Sequence, residues 1–305
     1  MRIVLNGQQA FGKAVLDALV ERGEQVVAVY CPPDRDDGRA DPVKEAALAH
    51  GIALRQRKTF KDDDAVEELQ ALCPDLCVMA FVTVIVPARF LNVPRLGSIQ
   101  YHPSLLPHHR GPSAINWPII QGEARTGLSI FWPNDGLDTG PVLLQKDCDI
   151  GPDDTLGSVY FDRLFPMGVA AMLEAVDLVR EGKAPRIKQD ETQATYESWC
   201  RAEDVEIDWR APPGTIHNLI RGANPQPGAW TTVGGERMQI FDCQLAPYID
   251  GAPGEITALD AGGMAVAAPG GGILIRRARF GGGAKATPAE IADDAGLAVG
   301  GKLGS

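Results

Sequence analysis

Histidine and aspartate side chains are concentrated in two loops of this 305-residue sequence, where their types and spacing suit acid–base chemistry. Residues 98–117, SIQYHPSLLPHHRGPSAINW, hold three of the five histidines. Residues 132–144, WPNDGLDTGPVLL, hold two acids among glycines. A carboxylate beside an imidazole fixes its tautomer and favours its protonated form. His102 and Asp138 are therefore candidates for a catalytic pair, with a purely structural pair as the alternative.

The histidine-rich segment also allows two other chemistries, and its spacing favours neither of them. A serine hydrolase would use Ser104 or Ser113, but the G-x-S-x-G motif is missing and Ser104 lies within S-L-L-P. A zinc site would need His102, His108 and His109 to face one point, whereas adjacent side chains usually point apart. We expect His108 and His109 to lie on an exposed loop instead.

The segment after the first strand resembles a phosphate-binding loop without completing its motif. GQQAFGKA, which begins at Gly7, has the glycines and lysine of G-x-x-x-x-G-K-[ST], but Ala14 stands where a magnesium-binding hydroxyl is required. Gln9 also replaces the second glycine of a dinucleotide fingerprint. We therefore predict a tight turn between a strand and a helix, and no nucleotide cofactor.

The hydrophobic pattern divides the chain into two parts. Strand and helix patterns alternate over the first half, which predicts a parallel sheet with helices on both faces. From about residue 203, short strands separated by glycine-rich turns predict a small antiparallel barrel. We predict an α/β fold with a Rossmann-like, mostly parallel catalytic domain over residues 1–184, a linker over 185–202 and a small OB-like barrel domain over 203–305.

The segments YHPSLLPHHRG and DGLDTG together resemble the superfamily of formyltransferases that use 10-formyltetrahydrofolate. That family includes methionyl-tRNA formyltransferase and the N-terminal hydrolase domain of 10-formyltetrahydrofolate dehydrogenase. The outer segments LFPMG, EGKAPR, IHNLIRG and PGAW are most similar to the hydrolase domain, so the resemblance covers most of the chain. It implies the same two-domain fold as the hydrophobic pattern.

The resemblance also implies a catalytic site. His102 and Asp138 match the catalytic histidine and aspartate of the family, and Gln100 stands where the family usually has an asparagine. His102, helped by the Gln100 amide, would stabilise negative charge on the formyl oxygen. Asp138 would orient His102 and take a proton from the attacking water or amine. Leu106–Pro107 matches a position where relatives have a cis peptide.

A folate pocket follows from the same match. In relatives it is formed by the segment after the fourth strand and by the loop before L-D-T-G. The matching residues in this sequence are Met79, Ala80, Phe81, Val82, Ile85, Trp132, Asn134, Asp135 and Asp138. The implied formyl donor is 10-formyltetrahydrofolate, and no metal is required.

The charge of the chain bears on the formyl acceptor. The net charge is −11, the loop CPPDRDDGRAD at 31–41 has four Asp against two Arg, and residues 203–305 hold eight basic and twelve acidic side chains. Because nucleic-acid binding depends on Lys and Arg at phosphates, we expect a small amine or water as the acceptor and consider tRNA less favoured. Arg276, Arg277 and Arg279 form a local basic cluster within this acidic region. Methionyl-tRNA formylation and a catalytically silent folate-binding protein stay open as alternatives.

The remaining features indicate a cytoplasmic protein with small-molecule substrates. No apolar run is long enough to span a bilayer, and the N-terminus has no signal-peptide pattern. The six cysteines are scattered, as in a reduced compartment. The sequence leaves the oligomeric state open.

Overall fold

The computed structural model describes residues 1–34 and 36–304. Two residues named in the sequence predictions lie outside the described residues: Arg35, an arginine of the acidic loop, and Ser305, the last residue of the predicted C-terminal domain.

The N-terminal half contains a mixed, mostly parallel sheet of seven strands. The strands are β1 Arg2–Gly7, β2 Gln25–Cys31, β3 Leu54–Gln56, β4 Leu76–Ala80, β5 Ser98–His102, β6 Arg125–Phe131 and β7 Val142–Asp149. Their order is β3-β2-β1-β4-β5-β6-β7, with β1 parallel to β2 and β4, β4 parallel to β5, and β5 antiparallel to β6. The predicted Rossmann-like sheet is confirmed.

Helices cover both faces of this sheet. The helices of the chain are α1 Gln9–Glu21, α2 Pro42–Ala49, α3 Asp63–Ala71, α4 Ala88–Leu91, α5 Asn116–Ile120, α6 Leu156–Ser158, α7 Phe165–Arg180, α8 Pro213–Gly222 and α9 Ala292–Ala295. The apolar sides of α1, α2 and α7 are buried against one face, and those of α3 and α4 against the other. A π-helical turn, Val159–Leu164, precedes α7, and Pro166 lies in the first turn of α7, where its missing N–H costs no hydrogen bond.

The predicted tight turn after the first strand is present. β1 ends at Gly7 and α1 begins at Gln9. The Gln8 amide donates to the Ala80 carbonyl over 3.3 Å, and a Cβ on Gly7 would lie 2.7 Å from that carbonyl oxygen. A glycine is therefore required at this close approach of β1 and β4.

The C-terminal half contains an antiparallel sheet of five strands, in the order β10-β11-β12-β9-β8. These strands are β8 Trp230–Val233, β9 Glu236–Ala246, β10 Ile256–Asp260, β11 Gly263–Ala268 and β12 Gly271–Phe280. The sheet and α8 share one apolar core, which includes Ile216, Ile220 and Ile240. The predicted antiparallel C-terminal domain is confirmed.

The chain forms two compact units that are not contiguous in sequence. The first comprises residues 1–114, 127–148 and 162–197, and the second comprises 115–126, 149–161 and the residues from 198 onward. The domain boundaries predicted at 184 and 203 stay a prediction. Within the described chain, no helix is both long and apolar enough to cross a membrane.

Candidate active site

His102 is the last residue of β5, and Gln100 lies two positions before it. Alternation along the strand places both on the face opposite Ile99 and Tyr101, which belong to the core. The His102 ring is buried, and its Nε2 lies 2.8 Å from the carbonyl oxygen of His109. Because a carbonyl oxygen can only accept, Nε2 carries a proton and donates it to that oxygen. Nδ1 is therefore the ring nitrogen left for chemistry.

Asp138 faces that nitrogen. Its Oδ2 accepts the Gly111 N–H over 2.9 Å and lies 3.6 Å from Nδ1 of His102. That separation is too long for a hydrogen bond, so Nδ1 stays available to a substrate oxygen. Asp138 is buried and has a φ of 55°, a left-handed conformation that aspartate tolerates better than most residues. Backbone strain of this kind is concentrated at functional sites.

Arg110 lies between the two residues whose backbones hold the pair. Its side chain is fully buried, and the guanidinium donates to Oε1 of Gln189 from Nε over 3.1 Å and from Nη2 over 2.7 Å. It also donates to the Glu191 carboxylate over 2.9 and 2.8 Å and to the Tyr196 hydroxyl. The positive charge is therefore buried with acceptors on several sides.

Residues 189–197, which we call the strap, bind the loop of Arg110 along its backbone. Arg110 N–H donates to the Thr195 carbonyl, and its own carbonyl accepts the Glu197 N–H. A Cβ on Gly111 would lie 2.2 Å from the Glu197 carbonyl oxygen, and Gly111 has a φ of 113°, so only glycine fits there. The strap thereby sets the position of the loop that holds His102 and Asp138.

Gln189 extends the strap to the second loop of the site. Its side chain is buried, and its Nε2 donates to the carbonyl oxygens of Asp138 over 2.8 Å and Gly140 over 2.7 Å. The same amide accepts from Arg110 through its oxygen. One side chain therefore links the loop of Arg110 with the loop of Asp138.

The expectation of an exposed loop is correct for His108 and wrong for His109. His108 is exposed, whereas the His109 ring is buried and its Nδ1 lies 3.1 Å from the Glu197 carboxylate. The reason is the strap, which covers this part of the loop. Arg110 lies within the segment YHPSLLPHHRG but was given no role there, and no sequence motif marks Gln189, so the contribution of both residues was missed.

The two other chemistries receive no support from the geometry. Ser104 is fully buried and its hydroxyl donates to the His108 carbonyl over 2.6 Å, not to an imidazole. The rings of His102 and His109 face different partners, and no group of three potential metal ligands occurs in residues 1–34 and 36–304. The Leu106–Pro107 peptide is cis, as the resemblance implied.

Apolar side chains predicted to bind folate are exposed at the carboxyl end of β4. Phe81 is 38% exposed and Ile85 is 70% exposed, with Val82 half-buried between them. Leu137, beside Asp138, is 56% exposed. Large exposed apolar side chains of this kind are typical of a ligand-binding surface.

Polar side chains shape the second loop. Asn134 Oδ1 accepts from the Gly136 N–H and from the Thr139 hydroxyl, so it folds the loop on itself. Asp135 Oδ1 accepts the Ala88 N–H over 3.0 Å. That bond joins the loop of Asp138 to the segment after β4, and the two predicted walls of the pocket are therefore neighbours.

Three of the predicted pocket side chains face the core instead. Met79 and Ala80 are buried in β4, so only their backbone atoms are available to a ligand. The Trp132 indole is buried, donates to the Pro185 carbonyl over 2.9 Å and lies under the Arg186 guanidinium at 3.8 Å. The Trp132 side chain supports the loop of Asp138, and only its backbone atoms are available to a ligand.

The sequence profile of the formyl transferase family matches residues 1–176, and that of the formyl transferase C-terminal domain matches residues 200–295. The chain belongs to this family.

Relatives within the family differ in function. Cytosolic 10-formyltetrahydrofolate dehydrogenase from Xenopus tropicalis is 43% identical over 264 residues, which cover 84% of this chain but 29% of the relative. This chain thus spans less than a third of the length of that dehydrogenase. Methionyl-tRNA formyltransferase from Geotalea daltonii is 36% identical over 309 residues, which cover 100% of this chain and 98% of the relative.

A solved structure shares the fold. HypX from Aquifex aeolicus, in complex with tetrahydrofolic acid, matches with a TM-score of 0.72 at 20% identity. The match covers 98% of this chain and 48% of that one. At this identity it supports the fold alone.

Gln189→Leu should lower the free energy of unfolding by about 3 kcal/mol, because it leaves the buried Arg110 guanidinium and two loop carbonyls short of partners. Gln193→Leu is the matched control, since Gln193 is exposed and binds only Asp190 among the described residues. Urea unfolding of both variants measures the difference. A Gln189→Leu protein as stable as the control would mean that the strap does not hold the site through Gln189.

Proposed function

We propose that this protein takes the formyl group from 10-formyltetrahydrofolate and transfers it to a small amine or to water. The observation that carries the proposal is the buried pair of His102 and Asp138, with Nε2 of the imidazole held by a carbonyl and Nδ1 facing the carboxylate. Family membership supports the folate donor. The exposed apolar side chains of Phe81, Ile85 and Leu137 suit the flat face of a pterin ring.

His102 stabilises the negative charge that develops on the formyl oxygen during attack. Its Nε2–H is bound to the His109 carbonyl, so the neutral ring presents only a lone pair at Nδ1, and only the imidazolium donates there. The Asp138 carboxylate compensates that positive charge in the buried site. A fixed donor at a developing oxyanion is worth about 3–4 kcal/mol, or roughly 10²–10³ in rate.

Asp138 and Gln100 complete the set. Asp138 takes the proton of the attacking water or amine, and His102 supplies one to the departing nitrogen. Gln100 is on the same face of β5 as His102, so its amide is a second donor to the formyl oxygen. The glutamine side chain is one methylene longer than that of asparagine, so the geometry of its hydrogen bond is less well defined.

A second candidate is methionyl-tRNA formylation, which basic side chains of β12 and of the segment that follows it favour. The Arg279 guanidinium and the Lys285 ammonium lie 5.4 and 3.6 Å from the Phe241 ring. Burial lowers the pKa of Lys285, and the nearby charges of Arg279 and Arg277 lower it further. The net charge of −11 weighs against a polyanionic acceptor, so we prefer the small one.

The test of catalysis follows tetrahydrofolate release from 10-formyltetrahydrofolate, with water alone and with added amines. We expect His102→Ala and Asp138→Asn each to slow release by about 100-fold or more, because each removes a charged group at the reacting atoms. Asparagine also tolerates the left-handed backbone of Asp138. Gln100→Leu is the matched comparison and should keep most of the hydrolysis.

Calorimetry with a folate separates binding from catalysis. His102→Ala should bind nearly as well as the unchanged protein. Near-normal release by either charged-group variant would contradict the role assigned to that residue. Folate binding without release by the unchanged protein would identify a silent folate-binding protein.

The same assay with initiator methionyl-tRNA distinguishes the two acceptor classes. We expect weak filter binding and no formylation of the tRNA. Micromolar or tighter binding with a steep salt dependence, together with formylation, would replace the small acceptor by tRNA.

A further inference from the structure

The peptide group between His109 and Arg110 connects His102 with the strap. Its carbonyl oxygen accepts the Nε2–H of His102 over 2.8 Å, and its N–H, which is that of Arg110, donates to the Thr195 carbonyl over 3.1 Å. A peptide group that donates through its N–H is a stronger acceptor at its oxygen, because hydrogen bonds in a chain polarise one another. The orientation of His102 therefore depends on contacts that begin at the strap.

His109 itself is bound to the strap at two further points. Its N–H donates to the Thr195 hydroxyl over 2.7 Å, and its ring Nδ1 lies 3.1 Å from Oε1 of Glu197. An ionised carboxylate only accepts, so Nδ1 donates to it. His109 has a φ of 54°, a left-handed conformation that costs free energy in a residue with a side chain. The contacts with the strap offset that cost.

Among residues 1–34 and 36–304, the Glu197 side chain makes one hydrogen bond, in which Oε1 accepts from His109, and its Oε2 is buried without a partner. A buried acceptor without a partner costs about 1–3 kcal/mol, so this carboxylate is a poor choice for stability alone. The main-chain bond from the Glu197 N–H to the Arg110 carbonyl does not depend on the side chain. A substitution of Glu197 therefore tests its contact with His109.

We propose that Glu197 and Thr195 are positioning residues for the formyl transfer. They fix His109, whose carbonyl keeps Nδ1 of His102 turned toward Asp138. This inference rests on the proposed function and adds to it two residues that act through His109. If the His109 carbonyl shifted, Nε2 of His102 would lose its buried acceptor, and neither the tautomer nor the orientation of the ring would be fixed. A misplacement of about 1 Å at a reacting group can cost roughly 100-fold in rate.

The first test measures tetrahydrofolate release from 10-formyltetrahydrofolate in water by variants of Glu197. Glu197→Leu, which accepts no hydrogen bond, should lower kcat about tenfold or more and leave KM little changed, because it displaces only the reacting group. Glu197→Gln keeps an acceptor oxygen and should recover most of that loss. Glu203→Leu is the matched control, since Glu203 is exposed and lies outside the strap, and it should change nothing.

Variants on the other side of these contacts test the same hydrogen bonds. His109→Ala loses the ring donor and should be as slow as Glu197→Leu. His109→Asn keeps an N–H donor at the position of Nδ1 and tolerates the left-handed backbone, so it should recover most of the kcat that His109→Ala loses. Thr195→Val removes the hydroxyl that accepts the His109 N–H and keeps the shape of the side chain, and it should also lower kcat.

Nitrogen NMR of His102 distinguishes positioning from a loss of stability. In folded Glu197→Leu, the neutral ring should distribute its proton over Nδ1 and Nε2. In the unchanged protein, Glu197→Gln and Glu203→Leu, the proton should stay on Nε2. A side chain that only stabilised the fold would change the free energy of unfolding in urea without moving that proton.

The outcomes separate the two proposals. An unchanged kcat in Glu197→Leu, or a Glu197→Gln variant as slow as Glu197→Leu, overturns the positioning role, while release by the unchanged protein leaves the proposed function intact. If the unchanged protein releases no tetrahydrofolate, the proposed function fails and NMR decides the positioning of His102. A redistributed proton in folded Glu197→Leu then supports it, and a proton still on Nε2 overturns it. Where Glu197→Leu does not fold, Thr195→Val replaces it in both measurements.

Discussion

The buried guanidinium of Arg110 is the interaction on which the geometry of the site depends. Its two chain neighbours provide backbone atoms that hold His102 and Asp138: the His109 carbonyl accepts a hydrogen bond from His102, and the Gly111 N–H donates one to Asp138. A charge removed from water costs several kcal/mol unless its hydrogen bonds are satisfied. The strap satisfies them, chiefly through Gln189, because Glu191 is largely exposed and its attraction is screened. The position of this loop is thus set by the requirement to pair one arginine.

This arrangement assigns separate tasks to the two nitrogens of His102. The His109 carbonyl accepts a hydrogen bond from Nε2–H. The ring therefore cannot flip without losing a buried hydrogen bond, and Nδ1 keeps facing Asp138. In the proposed mechanism, Nδ1 therefore exchanges a proton with the substrate while the ring stays in place. A catalytic group fixed before the reaction needs no reorganisation when charge develops, which is the main source of electrostatic catalysis. Nothing in this scheme requires a metal ligand among the residues of the site.

The sequence predicted the parts of the structure that depend on local patterns. Alternating strand and helix patterns predicted the parallel sheet, and Gly7 with Ala14 distinguished a tight turn from a phosphate-binding loop. The motifs around His102 and Asp138 pointed to these two residues through resemblance, and the structure brings their side chains within 3.6 Å of each other; their catalytic role stays a prediction. Gln189 was out of reach because it is 51 residues from Asp138 and 79 from Arg110 and lies in a polar segment without periodicity. The burial of His109 was missed for the same reason, since a loop residue is exposed or buried according to what covers it.

The proton position on His102 is directly measurable by nitrogen NMR of the protein labelled with ¹⁵N-histidine, with a His102→Gln variant to identify the signals of this ring among the five histidines. In its neutral state His102 should carry its proton on Nε2, with Nδ1 showing the shift of an unprotonated nitrogen. On addition of a folate that carries a formyl group, the change should occur at Nδ1 while the Nε2 signal stays that of a protonated nitrogen. A neutral His102 protonated on Nδ1 would contradict the assignment. The His109 carbonyl would then receive no hydrogen bond from Nε2, and Nε2 would be the ring nitrogen left for the reaction.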